Sequence, residues 1–82
     1  MLHVSEVRLI GGYRLWLRFS DGLEGEVDLA TELHGTMFAP LRDVDRFADV
    51  RLDPEIGTIA WPNGADFAPE FLRTLVEQPS AA

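Results

Sequence analysis

The chain has 82 residues, enough for one domain with a modest core. Its seven basic residues are all arginine, set against fourteen Asp and Glu, for a formal net charge of −7. That average field repels a phosphate backbone and counts against direct nucleic-acid binding. There are no cysteines, which excludes disulfides and thiolate metal sites, and no apolar run reaches the length of a membrane span. Met1 to Glu6 lacks the basic start and apolar block of a signal peptide, so a cytoplasmic location without membrane contact is expected. The net charge has two readings: it maintains solubility, or it draws in a basic protein partner.

Residues 3 to about 10 alternate as a first strand, with Val7 and Leu9 inward and Glu6 and Arg8 outward. A loop of Gly11-Gly12-Tyr13 then pairs Ile10 with Arg14, Leu9 with Leu15 and Val7 with Leu17. In the next strand Tyr13, Leu15, Leu17 and Phe19 share one face, with Arg14, Trp16 and Arg18 on the other. Ser20-Asp21-Gly22 closes a hairpin with Gly22 in the left-handed position. The register then sets Leu17 against Gly25 and Leu15 against Val27, while Arg18 meets Glu24 and Arg14 meets Asp28. A slip by one residue would bury carboxylates, so this register is strongly specified. On the outer face Glu6, Arg18 and Glu24 form one row, and Arg8, Trp16 and Glu26 the next.

Between Ala30 and Gly35 the strand pattern fails, and Leu29 and Leu33 mark a helical turn or irregular link. Thr36 is placed to cap a short helix through Arg42, with Pro40 in its first turn and Phe38 and Leu41 inward. Asp43 caps a further single turn carrying Phe47. A second hairpin runs from Val50, through a turn at Asp53-Pro54-Glu55-Ile56, and back along Gly57 to Trp61, with Val50 against Ile59. Pro62-Asn63-Gly64 ends that strand, and Asp66 or Ala68 opens a last helix with Phe67, Phe71, Leu72 and Leu75 on one stripe. The predicted fold is α+β. It combines a three-stranded antiparallel meander, short helices, a second β-hairpin and a C-terminal helix packed on one sheet face. Residues 4–76 form this single domain, and residues 77–82 read as a frayed tail.

The residue types needed for catalysis are sparse. His3 and His34 are the only histidines and lack zinc-ligand spacing, so no metal or cofactor is expected. Ser5, Ser20 and Ser80 lie in no nucleophile-elbow sequence, and Gly11-Gly12 lacks the spacing of a phosphate loop. Glu24, Glu26 and Asp28 read as a solvated strand face opposite arginines. The expectation is a non-enzyme. Two places are candidates for binding. Trp16 lies between Arg14 and Arg18 on the charged face with Glu24 and Glu26, which is the composition of a protein-binding hot spot. Alternatively a helix covers that face, or Trp16 packs over its neighbours' stems. Trp61, Pro62, Asn63, Gly64 and Asp66 form the second candidate, a pocket segment whose plain role is a strand end, a turn and a helix start.

Four segments together resemble one family: Tyr13-Arg-Leu-Trp-Leu-Arg-Phe19-Ser-Asp-Gly22, Gly25-Glu-Val-Asp28-Leu29, Phe38-Ala-Pro-Leu41 with Phe47, and Gly57-Thr-Ile-Ala-Trp61-Pro-Asn-Gly64-Ala-Asp66. The chain is similar over residues 4–75 to the short bacterial proteins of domain of unknown function 2442. The resemblance implies a small α+β fold and transfers no catalytic residues. Some members carry an additional C-terminal helix-turn-helix domain. No such domain is expected in this chain, so a DNA-binding role is not carried over. Members are often encoded beside another small protein, a pairing that resembles a toxin–antitoxin module. The resulting expectation is a protein-binding domain, the antitoxin-like partner of a small basic protein encoded nearby. The alternatives are a transcription-regulatory module acting through a DNA-binding partner, and a small-ligand sensor near Trp61 and Asp66. Self-association through the outer sheet face is a further expectation.

Overall fold

The computed structural model describes residues 1–77. Three antiparallel strands, β1 (Val4–Gly11), β2 (Arg14–Phe19) and β3 (Glu24–Asp28), form a sheet in that order. Leu17 faces Gly25, Leu15 faces Val27, Arg18 faces Glu24 and Arg14 faces Asp28, as the alternation predicts. Gly22 closes this hairpin at φ +93°, where a Cβ would be strained, and its amide donates to the Phe19 carbonyl. Asp21 secures the turn by accepting the Leu23 amide at 3.2 Å.

The first hairpin differs from expectation in its loop. Leu9 faces Leu15 and Val7 faces Leu17, but Arg14 pairs with Gly11 and not with Ile10. The spare residue is taken up as an irregularity at Ile10, and the loop shortens to Gly12 and Tyr13, with Gly12 left-handed at φ +54°. Tyr13 then folds inward against Phe47, and its hydroxyl donates to the Arg42 carbonyl. Leu9, expected inward, is 44% exposed, because this end of β1 runs beyond the elements that cover the sheet.

After β3 the chain makes a short 3-10 turn at Ala30–Glu32 that buries Leu29 and Leu33 at its two ends. A second 3-10 turn, Ala39–Arg42, carries buried Leu41. Thr36 does not cap it: the Gly35 carbonyl accepts the Phe38 and Ala39 amides, and Phe38 takes the cap position without a side-chain bond. Asp43 does cap the next turn, α1 (Val44–Phe47), accepting the Asp45 amide at 3.0 Å.

The second hairpin, β4 (Arg51–Asp53) with β5 (Thr58–Ala60), is displaced by two residues from its expected register. Leu52 faces Ile59, where Val50 had been expected. The shift keeps the same side chains inward, so alternation alone could not detect it. Turn chemistry decides: the Asp53 carboxylate accepts the Glu55 amide, its carbonyl accepts the Gly57 amide, and Gly57 is left-handed at φ +68°. A four-residue loop results. The Gly57 carbonyl then accepts the Val4 amide at 2.8 Å, tying this hairpin to the start of β1.

Helix α2 (Pro69–Glu77) packs against β3 on the inner face of the sheet. Ala68 provides its first accepting carbonyl, so the helix starts from Ala68 and not from Asp66. Leu72 is fully buried and Leu75 partly so, while Phe71 is 38% exposed and stacks on Phe67 at 5.7 Å. Phe67 lies deeper, stacked on Phe38 at 4.6 Å and edge-on to Trp61 at 5.9 Å. Glu77 belongs to the helix; the rest of the expected tail lies outside the described residues. Leu15, Leu17, Phe19, Phe47, Ile59, Trp61 and Leu72 are among the side chains that form one continuous core. No helix among the described residues is long and apolar enough to cross a membrane.

Candidate functional site

Among the described residues no helix packs on the outer face of the sheet. Arg14, Arg18, Glu24, Glu26 and Asp28 are exposed, and their alternating neighbours Leu15, Leu17 and Val27 are buried beneath them. No described helix covers Trp16. It is half-buried by its neighbours on the same face: the guanidinium carbons of Arg8 and Arg18 lie 5.2 and 5.3 Å from its ring centroid. Each such contact at an exposed site contributes about 0.5–1 kcal/mol. Together they hold the indole in one orientation. Arg8 reaches Trp16 as its cross-strand partner, whereas Arg14, its neighbour in sequence, turns to Glu26 at 3.0 Å. Sequence reasoning named Arg14 as a flanking residue and left Arg8 out of the site. The signal that identifies Arg8 is the β1–β2 register, which already set it opposite Trp16.

The charges on this face compensate one another. Glu6 bridges Arg8 at 2.8 Å and Arg18 at 3.5 Å, and Arg18 also meets Glu24 at 3.0 Å. Asp28 is Arg14's backbone partner, yet its carboxylate accepts the Ala30 amide at 3.0 Å and shapes the exit from β3. Ion pairs this exposed contribute little to stability, about 0–1 kcal/mol each. Their effect is to orient the arginines. Three arginines (Arg8, Arg14, Arg18) and four carboxylates (Glu6, Glu24, Glu26, Asp28) leave the face nearly neutral. Most of the formal charge of −7 therefore resides elsewhere. Around α1 and the β4–β5 hairpin, Asp43, Asp45, Asp49, Asp53 and Glu55 stand against Arg46 and Arg51, a surplus of three carboxylates.

The second candidate segment is built into the core. Trp61 is 3% exposed, stacks on Phe47 at 5.5 Å and donates its indole N–H to the Phe47 carbonyl at 2.9 Å. Pro62 and Asn63 form a tight turn in which the Gly64 amide donates to the Trp61 carbonyl, with Gly64 left-handed at φ +91°. Asn63 accepts the Ala65 amide and donates to the Met37 carbonyl at 2.9 Å, joining this turn to the Gly35–Phe38 loop. Asp66 is exposed and bridges Ala60 through its backbone. Trp61, Pro62 and Asn63 line a cleft of about 200 Å³ with Pro40, Leu41, Arg46 and Asp49; Gly64 and Asp66 lie outside its lining.

Outside these two places, Asp21 joins the β2–β3 turn to α2 through Arg73 at 2.7 Å. The Leu23 amide, with Arg73 beside it, holds the Asp21 carboxyl below the usual carboxylate value. Asp21 correspondingly raises the Arg73 guanidinium above its ordinary value.

A three-stranded sheet packed on its inner face, with a charge-paired outer face around Trp16, defines a small α+β domain. The chain belongs to the family described as Protein of unknown function (DUF2442), whose model matches residues 4–78. Comparison with curated proteins and with solved structures finds no match.

Proposed function

We propose that this chain is a non-enzymatic, cytoplasmic protein-binding domain, antitoxin-like, whose partner is a small basic protein encoded nearby. The observation that carries the reading is Trp16: an indole on the outer sheet face, contacted by two guanidinium groups that are themselves held by carboxylates. A side chain already fixed in one orientation loses little freedom on binding, which favours an aromatic anchor. Arg14, Arg18, Glu24 and Glu26 surround it as a polar rim. Attraction for a basic partner arises from the surplus carboxylates around α1 and β4–β5, which raise the encounter rate without lying at the contact.

Direct nucleic-acid contact has little support. The outer-face arginines Arg8, Arg14 and Arg18 are each engaged by a carboxylate, which leaves no basic stripe there. A regulatory role would run through a DNA-binding partner. The small-ligand reading rests on the cleft beside Trp61, but about 200 Å³ falls below the roughly 300–1,000 Å³ typical of ligand sites.

The test is affinity capture of the tagged chain from its native cells, with the Trp16→Ala chain as the control bait. A small basic protein identified by mass spectrometry, held by the parent chain, weakened by salt and lost with Trp16→Ala, is the expected outcome. Recovery of the bait alone, from a lysate shown to contain the neighbouring gene product, refutes the partner assignment.

A further inference from the structure

Strand β1 forms one edge of the three-stranded sheet, and its beginning is covered by the Gly57 carbonyl bonded to Val4. Beyond that point the edge is open. The Phe19 amide donates to Leu23 and the Leu29 amide to Tyr13, so odd-numbered residues along β2 bond β3 and even-numbered ones bond β1. Glu6 and Arg8, opposite Arg18 and Trp16, therefore turn their backbone groups toward β2. Val7 and Leu9 turn theirs outward, and no element outside the sheet bonds them among the described residues. Leu9 and Ile10 are 44% and 48% exposed at this edge.

We infer that this edge pairs with β1 of a second copy, antiparallel about a two-fold axis at Val7, to give a continuous six-stranded sheet. The charge pattern selects both the occupant and the register. Centred on Val7, the Val7 backbones exchange hydrogen bonds across the axis, and Glu6 of each copy stands opposite Arg8 of the other. Those flanking positions are the close, non-hydrogen-bonded pairs, where side chains approach most nearly. Displacing the axis to Arg8 sets two arginines face to face, and displacing it to Glu6 sets two glutamates face to face. The Arg8 side chain is 72% exposed and already bonds Glu6 of its own chain, so pairing adds a second carboxylate beside each guanidinium.

The irregularities at Ser5 and Ile10 bound the straight segment, so the ladder is short. It buries less than the roughly 1,200–2,000 Å² of a stable complex, and dissociation in the micromolar to millimolar range is expected. The outer faces of the two sheets become continuous, bringing both Trp16 clamps onto one surface. The pairing stands independently of what that surface binds.

The test is sedimentation equilibrium of the full chain up to millimolar concentration, with Glu6→Arg and Arg8→Glu measured alone and mixed. Circular dichroism checks that each variant is folded. Alone, each variant puts like charges across the axis and weakens dimerisation about tenfold or more. Mixed in equal amounts, the variants again oppose Arg to Glu at both positions, and association returns to the parent strength or above. A parent chain that remains monomeric throughout overturns the inference. So do variants that dimerise as the parent does, or a mixture that gains nothing. None of these outcomes bears on capture through Trp16, so this inference and the partner reading fail separately.

Discussion

Gly25→Ala offers a quantitative check on how α2 meets the sheet. Gly25 faces Leu17 in the inner layer, and a Cβ at its position would stand 2.8 Å from Cγ1 of Val76. Its φ is not positive, so the backbone accepts alanine, which by itself would favour the strand by about 0.5–1 kcal/mol. The collision opposes that gain. Val76 is β-branched and has essentially one helical rotamer, so it cannot swing aside. The helix cannot lift away without separating buried Leu72 from the core and Arg73 from Asp21. Overpacking of this kind costs about 1–3 kcal/mol, leaving a net loss near 1 kcal/mol. For a domain of this size that lowers Tm by about 4–8 °C. With Val76→Ala already in place the collision is absent, and adding Gly25→Ala should raise stability. Urea unfolding of the four chains closes the cycle. An equal loss in both backgrounds would refute the contact.

Three further outcomes follow from particular residues. Trp61→Phe removes the indole bond and leaves a gap, but the Phe47 carbonyl still accepts the Val50 amide; a loss of about 2 kcal/mol in urea unfolding is expected. Gly22→Val, forced to φ +93°, should lower Tm more than Asp21→Ala, which removes only exposed bonds. The Asp21 carboxyl titrates lower in the folded chain than its ordinary 3.8, so its contribution is full above that value and fades as pH falls through the folded one. The stability gap between the parent and Asp21→Asn, followed by thermal melts across that acidic range, should therefore close as pH drops.

Local chemistry was enough to place the elements whose partners lie close in the chain. Alternation along Tyr13–Asp28 specified the β2–β3 register because a slip would bury carboxylates, and Asp43 announced its helical turn by its cap. The β4–β5 register escaped because a two-residue shift preserves alternation, leaving Asp53 and Gly57 to decide it. The resemblance located the Trp61–Asp66 segment without its internal order. Only the folded chain directs the Trp61 indole to Phe47 and joins Asn63 to Met37.

The same division runs through the candidate site. Sequence by itself determined that Trp16 shares a face with Arg18, Glu24 and Glu26, since parity along each strand and the register of a three-residue hairpin are both local. Tertiary structure decided which arginines contact it and that, among the described residues, no helix covers it and no element bonds the edge at Val7. Those depend on distances between segments separated in the chain, and packing of the whole core sets such distances.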